Sequence, residues 1–197
     1  TLVKDVNLLP PGQFLVFDKN NIKKKTFFDF KNYNIKIPKK SNNLVELEEK
    51  LKLSVKSQLM SDVSLGCQLS GGIDSSLITL FAKQFTKKLE TFSILFKDKD
   101  LTEETYIKKV TNKLDLINYS AEFNYKNFYK DLTNSIWFFD APLSQINSIG
   151  IFNLAKLAKS RVKVLLSGEG ADEIHGGYPR FTRIKFFNFL NNMIQKN

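Results

Sequence analysis

With a single cysteine, Cys67, the 197-residue chain cannot close an internal disulfide, which excludes a disulfide-stapled secreted scaffold. Long apolar runs are missing too. No stretch nears the roughly 18 residues that a membrane span requires, and no charged-then-apolar leader opens the chain, so no membrane partner and a reducing, cytoplasmic setting are expected. His175 is the one histidine; with no companion cysteine or spaced acid it makes no zinc-ligand set. No Gly-Lys pair occurs, which excludes a Walker loop. Acids are absent from 174–197, which carries Arg180, Arg183, Lys185 and Lys196, while 18–40 holds eight lysines against Asp18 and Asp29. These two stretches account for the whole net charge of +10. For both stretches solvated lysines are expected, and no nucleic-acid partner.

What is present suffices for a core. Hydrophobic residues make up 42% of the chain and aromatics 13%, enough for one domain and a fragment of another. Pro10-Pro11-Gly12 leads into an apolar run over 13–17, a turn at 18–21 and a second run over 22–30, which reads as a hairpin. Residues 31–43, Lys- and Asn-rich, read as a linker. Leu44, Leu47, Leu51, Val55 and Leu59 recur every three or four positions, as in an amphipathic helix. From there strand and helix patterns alternate: strands over 63–69, 91–96, 116–123 and 162–166, and helices over 75–87, 103–114, 125–139 and 149–159. Such alternation predicts an α/β fold, a parallel sheet doubly wound with helices on both faces, whose ligands bind beyond the carboxyl ends of the strands. Tyr125, Phe128, Tyr129, Leu132, Ile136 and Trp137 recur at helical spacing and are expected in the core. Phe181, Phe186, Phe187, Phe189 and Leu190 are expected to form an apolar patch.

At the carboxyl end of the first sheet strand stands Ser70-Gly71-Gly72-Ile73-Asp74-Ser75-Ser76. Glycines let the backbone approach a phosphate, a helix amino end supplies free N–H groups, the serines donate hydrogen bonds, and Asp74 can hold magnesium against phosphate. The plainer reading is a glycine turn with Asp74 or Ser75 capping a helix. A second loop, Ser167-Gly168-Glu169-Gly170-Ala171-Asp172-Glu173, also follows a strand directly. It starts like a dinucleotide fingerprint, but Glu173 stands where the third glycine belongs, and three acids repel pyrophosphate unless a metal intervenes. Two such loops at one sheet edge would bring Asp74 and Asp172 to one magnesium ion; an acidic surface loop is the alternative.

The pair of motifs, Asp62-Val63 through Ser76 and Leu166 through Tyr178, resembles the synthetase domain of glutamine-dependent asparagine synthetases, a fold of the adenine-nucleotide α-hydrolase (ATP pyrophosphatase) type, over roughly residues 44–183. Leu9-Pro10-x-Gly12 and the hairpin resemble the last strands of that family's glutaminase domain. The resemblance implies a division into 1–30 (glutaminase remnant), 31–43 (linker) and 44–197 (truncated synthetase domain). It implies that Leu69, Ser70, Gly71, Gly72, Asp74, Ser75, Ser76, Ser167 and Gly168 bind ATP with Ile94 beside the adenine, that Asp74 and Asp172 ligate Mg2+, and that Glu169 serves formation and breakdown of an aspartyl adenylate. The implied partners are aspartate and ammonia from glutamine, the parent's missing glutaminase domain and C-terminal synthetase segment, and a second copy in a homodimeric parent.

The sequence also departs from the family. No N-terminal nucleophilic cysteine is present; Cys67 falls inside a strand and reads as core, and a chain that opens on Thr1 and ends at Asn197 reads as a piece of a longer one with little activity alone. The stretch 140–148 lacks the arginine many bacterial members carry, so another carboxylic acid could replace aspartate. A sulfur-transfer or lactam-forming ligase with the same loop, and a basic non-catalytic nucleotide- or RNA-binding module, are the other readings.

Overall fold

The computed structural model describes residues 1–19, 21–29, 32, 43–96, 103–181 and 183–184. The chain divides into two compact units, Thr1–Asn43 and Leu44–Asn197. In the first, β1 (Gln13–Asp18) pairs antiparallel with β2 (Asn21–Thr26). The carbonyl of Gly12 accepts from the amides of Phe27 and Phe28, closing the open end of the predicted hairpin. The predicted linker lies, apart from Asn32 and Asn43, outside the described residues.

The second unit carries α1 (Leu44–Gln58), β3 (Leu65–Gln68), α2 (Ile73–Phe85), β4 (Glu90–Leu95), α3 (Glu104–Leu114), β5 (Ile117–Glu122), α4 (Phe128–Phe139), α5 (Asn147–Ala158), β6 (Val164–Leu166) and the short α6 (Ala171–His175). The four strands form one parallel sheet in the order β5-β4-β3-β6. The chain runs outward from β3 through β4 to β5, then returns to lay β6 on the other side of β3. That reversal opens a crevice at the carboxyl ends of β3 and β6, the place where parallel sheets take ligands.

Helices cover both sheet faces, as the alternation predicted. On one face Val55 of α1 and Phe81 and Ala82 of α2 close over Cys67 of β3 and over Leu89. On the other, Leu154 and Ala158 of α5, with Val162, close over Phe92 of β4, whose ring stacks on Tyr119 at 5.6 Å. Within β3 and β4 the alternating side chains go to opposite faces, so Cys67 and Phe92 are both fully buried. Burial pushes the Cys67 thiol up to about 11, against a smaller opposing hydrogen bond with Thr79.

Two expectations are corrected. The strand predicted over 63–69 is shorter, and α2 starts at Ile73 within the glycine string rather than at Ser75, with Gly72 as a cap that has no side-chain hydrogen bond; neither Asp74 nor Ser75 is the cap. The aromatic side of α4 is not core. Tyr129 and Trp137 are 81% and 79% exposed, Tyr125 and Ile136 are exposed too, and the buried residue of α4 is Ser135. A stripe at helical spacing fixes a helix, but α4 meets α5 through Asp131, whose carboxylate accepts from the Asn153 amide at 3.1 Å, and Phe138, whose ring centre lies 5.4 Å from that of Phe152, while Phe128 and Leu132 of the stripe are half-buried. Of the predicted apolar patch, Phe181 is half-buried and Phe186, Phe187, Phe189 and Leu190 lie outside the described residues.

Candidate nucleotide and metal site

Where β3 ends, Leu69 is fixed in place from both sides of its peptide. Its amide donates to the carbonyl of Phe92 at 2.8 Å, and its carbonyl accepts from the buried Ser93 hydroxyl at 2.6 Å. The next residues turn under a closed set of local hydrogen bonds. The Ser70 amide donates to Ser75 Oγ at 3.2 Å, the two hydroxyls lie 2.9 Å apart, the Gly72 amide donates to Ser70 Oγ at 3.3 Å, and the Ser75 hydroxyl donates to the carbonyl of Gly72 at 3.3 Å. With Ser75 donating to Gly72, the proton between the hydroxyls is that of Ser70. Both serines therefore spend their donors on the shape of the loop. Donors for an anion are left to the backbone: Ser76 is the first residue of α2 to donate within the helix, to Gly72 at 3.1 Å, so the amides of Ile73, Asp74 and Ser75 have no intrahelical acceptor. Their partial positive charge suits phosphate.

The second loop comes directly against the first. Leu166 pairs with Cys67 across the two strands, so the residues after Leu166 climb beside those after Cys67. A Cβ on Gly168 would lie 2.9 Å from Asp74 Cβ and 2.9 Å from the Ser75 nitrogen; no larger residue fits without moving one loop. The predicted facing of the two loops is present. Between them Ser70, Asp74, Ser75, Gly168, Glu169 and Asp172 line a cavity of about 140 Å³.

Gln68, Gly170, Glu173 and Tyr178 complete that lining, and the sequence had singled out none of the four as site residues. The Tyr178 hydroxyl donates to Glu173 Oε1 at 2.7 Å. That bond holds the Glu173 carboxyl below its ordinary value and raises the Tyr178 phenol; the Arg180 guanidinium lies 4.2 Å from the Tyr178 ring centre. Asp172 is held by its backbone, its carbonyl accepting from the Gly177 amide at 3.0 Å.

A larger cavity of about 280 Å³ opens alongside, sharing Gln68, Ser70 and Glu169 with the first. Leu69, Ile94, Phe96 and Leu154 give it apolar walls, and Glu103 and Asn147 bring polar groups to it. Ile94 thus stands in the second cavity, connected to the loop by Leu69 and Ser70. Ser167 lines a third hollow toward α1 and α2, which shares Asp74, Gly168, Glu169 and Gly170 with the first cavity and takes in the exposed His175. Gly71, Gly72 and Ser76 line neither of the first two cavities; the Ser76 hydroxyl is buried without a hydrogen-bond partner.

The first cavity presents four carboxylates, those of Asp74, Glu169, Asp172 and Glu173. Hard anionic oxygens of this kind suit magnesium, which takes one or two carboxylates and completes its shell with water and phosphate oxygens. Among the described residues no group of three His, Cys, Asp or Glu side chains converges as a metal cage, so the residues present fit an ion shared with a phosphate rather than one the protein encloses.

Residues 46–194 match the family model described as asparagine synthase. The chain is 37% identical to asparagine synthetase [glutamine-hydrolyzing] 1 of Bacillus subtilis over 90% of its own length and 28% of that protein's. It is 33% identical to the putative asparagine synthetase [glutamine-hydrolyzing] 2 of Methanocaldococcus jannaschii, covering 90% of this chain and 35% of that one, and 27% identical, with the same two coverages, to asparagine synthetase B of Escherichia coli. It therefore spans about a third of the length of the curated relatives it matches.

Proposed function

This chain belongs to the asparagine synthase family, and on that footing we propose that it is the nucleotide-binding core of an ATP-dependent, amide-forming synthetase. The observation that carries the reading is the contact of Gly168 with Asp74 and Ser75, which sets an anion-binding helix terminus and an acidic loop on the two sides of one cavity. In this reading the amides of Ile73, Asp74 and Ser75 hold the departing phosphates. Asp74 and Asp172 hold Mg2+, which when bound offsets the charge of the pyrophosphate as it leaves. The nucleotide base occupies the apolar second cavity beside Ile94.

An aspartate side-chain carboxylate attacks the α-phosphorus of ATP, the bond from that phosphorus to the bridging oxygen breaks, and pyrophosphate departs. Ammonia then attacks the acyl carbon of the mixed anhydride and loses a proton; the carbon–oxygen bond breaks, giving asparagine and AMP. Glu169 borders both cavities, where nucleotide and acid would meet, and suits the proton acceptor of the second step. In the parent enzyme the ammonia comes from glutamine, through a domain of which the β1–β2 hairpin is the end, and the parent acts as a homodimer in the cytoplasm.

The test is isotope exchange between pyrophosphate and ATP in the full-length parent enzyme. Exchange that depends on aspartate and is lost in Asp74→Ala and in Asp172→Ala is expected; undiminished exchange in both variants overturns the reading. Because the stretch 140–148 carries no arginine, a panel of carboxylic acids in the same assay identifies which acid is activated.

A further inference from the structure

The peptide that joins Leu69 to Ser70 is held at both ends by hydroxyls from different elements. Its carbonyl accepts from the Ser93 hydroxyl of β4 at 2.6 Å, and its amide, that of Ser70, donates to Ser75 Oγ of α2 at 3.2 Å. At this plane β3 gives way to the glycine string, so its tilt sets the direction in which Ser70, Gly71 and Gly72 leave the sheet. The amides of Ile73, Asp74 and Ser75 follow that direction, because the string is closed on itself by the bonds of Ser70 with Ser75 and with Gly72.

Ser93 itself is 1% exposed and lines neither of the two cavities at the loop, so whatever it does for a ligand it does through Leu69. A hydroxyl buried this deeply is costly unless it is bonded. Its proton is shared between the Leu69 carbonyl and, at 3.0 Å, Asn118 Oδ1, a three-centre arrangement in which the nearer acceptor takes the larger part. Asn118 is anchored in turn: its Oδ1 accepts from the Thr91 hydroxyl at 2.9 Å and its Nδ2 donates to Ser120 Oγ at 2.9 Å. Thr91 is the natural comparison. It stands two residues before Ser93 on the same face of β4 and is fully buried, but its hydroxyl goes to β5, to the Ile117 carbonyl at 3.1 Å and to Asn118. Of these two buried hydroxyls, Ser93 is the one that reaches the loop.

We propose that Ser93 is a positioning residue for the phosphate loop: through the Leu69 carbonyl it orients the free amides that take the departing pyrophosphate. This rests on the reading of that loop as the seat of the departing phosphates. Without the Ser93 hydroxyl the peptide plane is held from the Ser75 side alone. The displacement that follows is felt by the group those amides contact, because a misplacement of about an ångström is enough to weaken a phosphate site.

The test is pyrophosphate–ATP exchange in the full-length parent enzyme, with KM measured separately for pyrophosphate and for the acid that supports exchange. Ser93→Ala is expected to raise the KM for pyrophosphate about tenfold, as loss of one hydrogen bond gives, and to leave that for the acid within about twofold. Thr91→Val, which removes an equally buried hydroxyl from the same face, is expected to move neither. Ser93→Cys keeps the volume with a weaker donor, so a smaller rise of about threefold is expected; it serves should the alanine variant not fold. A purely structural role lowers kcat through the folded fraction and leaves both KM values unchanged, and that outcome overturns the proposal. An equal rise in both KM values overturns it as well, as does a rise in Thr91→Val that matches the one in Ser93→Ala. If wild type shows no exchange with any acid, the synthetase reading fails and the proposal with it; if wild type exchanges and Ser93→Ala behaves as wild type, only the proposal fails.

Discussion

Gly168 and Asp74, ninety-four positions apart in sequence, approach so closely that a Cβ on the first would lie 2.9 Å from the Cβ of the second. Its other near neighbours, the Ser75 nitrogen at 2.9 Å and the Asp74 carbonyl carbon at 3.0 Å, are backbone, so the encroachment is not relieved by a side-chain rotation. Gly168→Ala must therefore push the second loop off the start of α2. The site is partly open to solvent and the core does not include Gly168, so a modest loss of stability is expected, about 1–3 kcal/mol. Nucleotide affinity is expected to fall more than tenfold, since an ångström of misplacement disorganises a phosphate site. Thermal melting alongside ATP titration checks both parts; unchanged ATP affinity would show that the loops do not act together.

Ser75 is the hinge of the loop's own hydrogen bonds, accepting from the Ser70 amide and hydroxyl and donating to Gly72. In Ser75→Ala the Ser70 amide, half-buried, loses its acceptor, at a cost of about 1–3 kcal/mol. The same substitution frees the Ser70 hydroxyl to turn elsewhere, so the loop should lose its fixed shape before the domain loses its fold. Faster amide exchange confined to 70–75, with exchange in β4 unchanged, is the expected pattern. Exchange accelerated equally throughout the sheet would mean that the hydroxyl supports the whole domain and not the loop.

The alternation of strands and helices, the glycine string and the acidic loop were legible because each is a local pattern: a period of two or of 3.6, or a small set of residues with special backbone or charge. The partnership of β6 with β3, and with it the contact of Gly168 and Asp74, depends on where the chain crosses back, and only the topology rule for parallel sheets pointed to it. The start of α2 at Ile73 was hidden because its cap is a glycine in extended conformation, held by the Ser70–Ser75 pair rather than by a capping side chain. Tyr129 and Trp137 misled because period reveals a helix but not which side finds a neighbour. Glu103 and Asn147 meet at one cavity from two elements with no shared spacing, so no local signal marked them.

Cys67 gives a pH dependence whose sign is fixed. Its thiol has an ordinary value of 9.0 and is pushed up to about 11 in the folded chain, chiefly by burial. Between those values the unfolded chain has released the proton and the folded one has kept it, so folding loses stability as pH rises. The contribution is fully present below pH 9 and is lost as pH rises through 11, amounting to about 3 kcal/mol at most. Cys67→Ala should remove this part of the alkaline decline at the cost of a small cavity. Denaturant midpoints for the two proteins between pH 8 and pH 11 measure it. An identical slope in the variant would assign the decline to other groups.

Phe92 is fully buried between the sheet and α5, and its ring also limits what β3 can carry: a Cβ on Gly66 would meet Phe92 Cε2 at 2.7 Å. Two effects follow from removing the ring. Phe92→Ala leaves Leu154, Ala158 and Val162 facing a void, which costs about 3–5 kcal/mol, a large part of the stability of a domain this size. It also clears the side-chain obstacle above Gly66, although the Glu90 carbonyl at 2.9 Å remains, so Gly66→Ala in the Phe92→Ala background should recover little. Denaturant unfolding of both single variants and the double variant decides the matter: a double variant no less stable than Phe92→Ala would show that the ring, and not the neighbouring backbone, is what keeps position 66 a glycine.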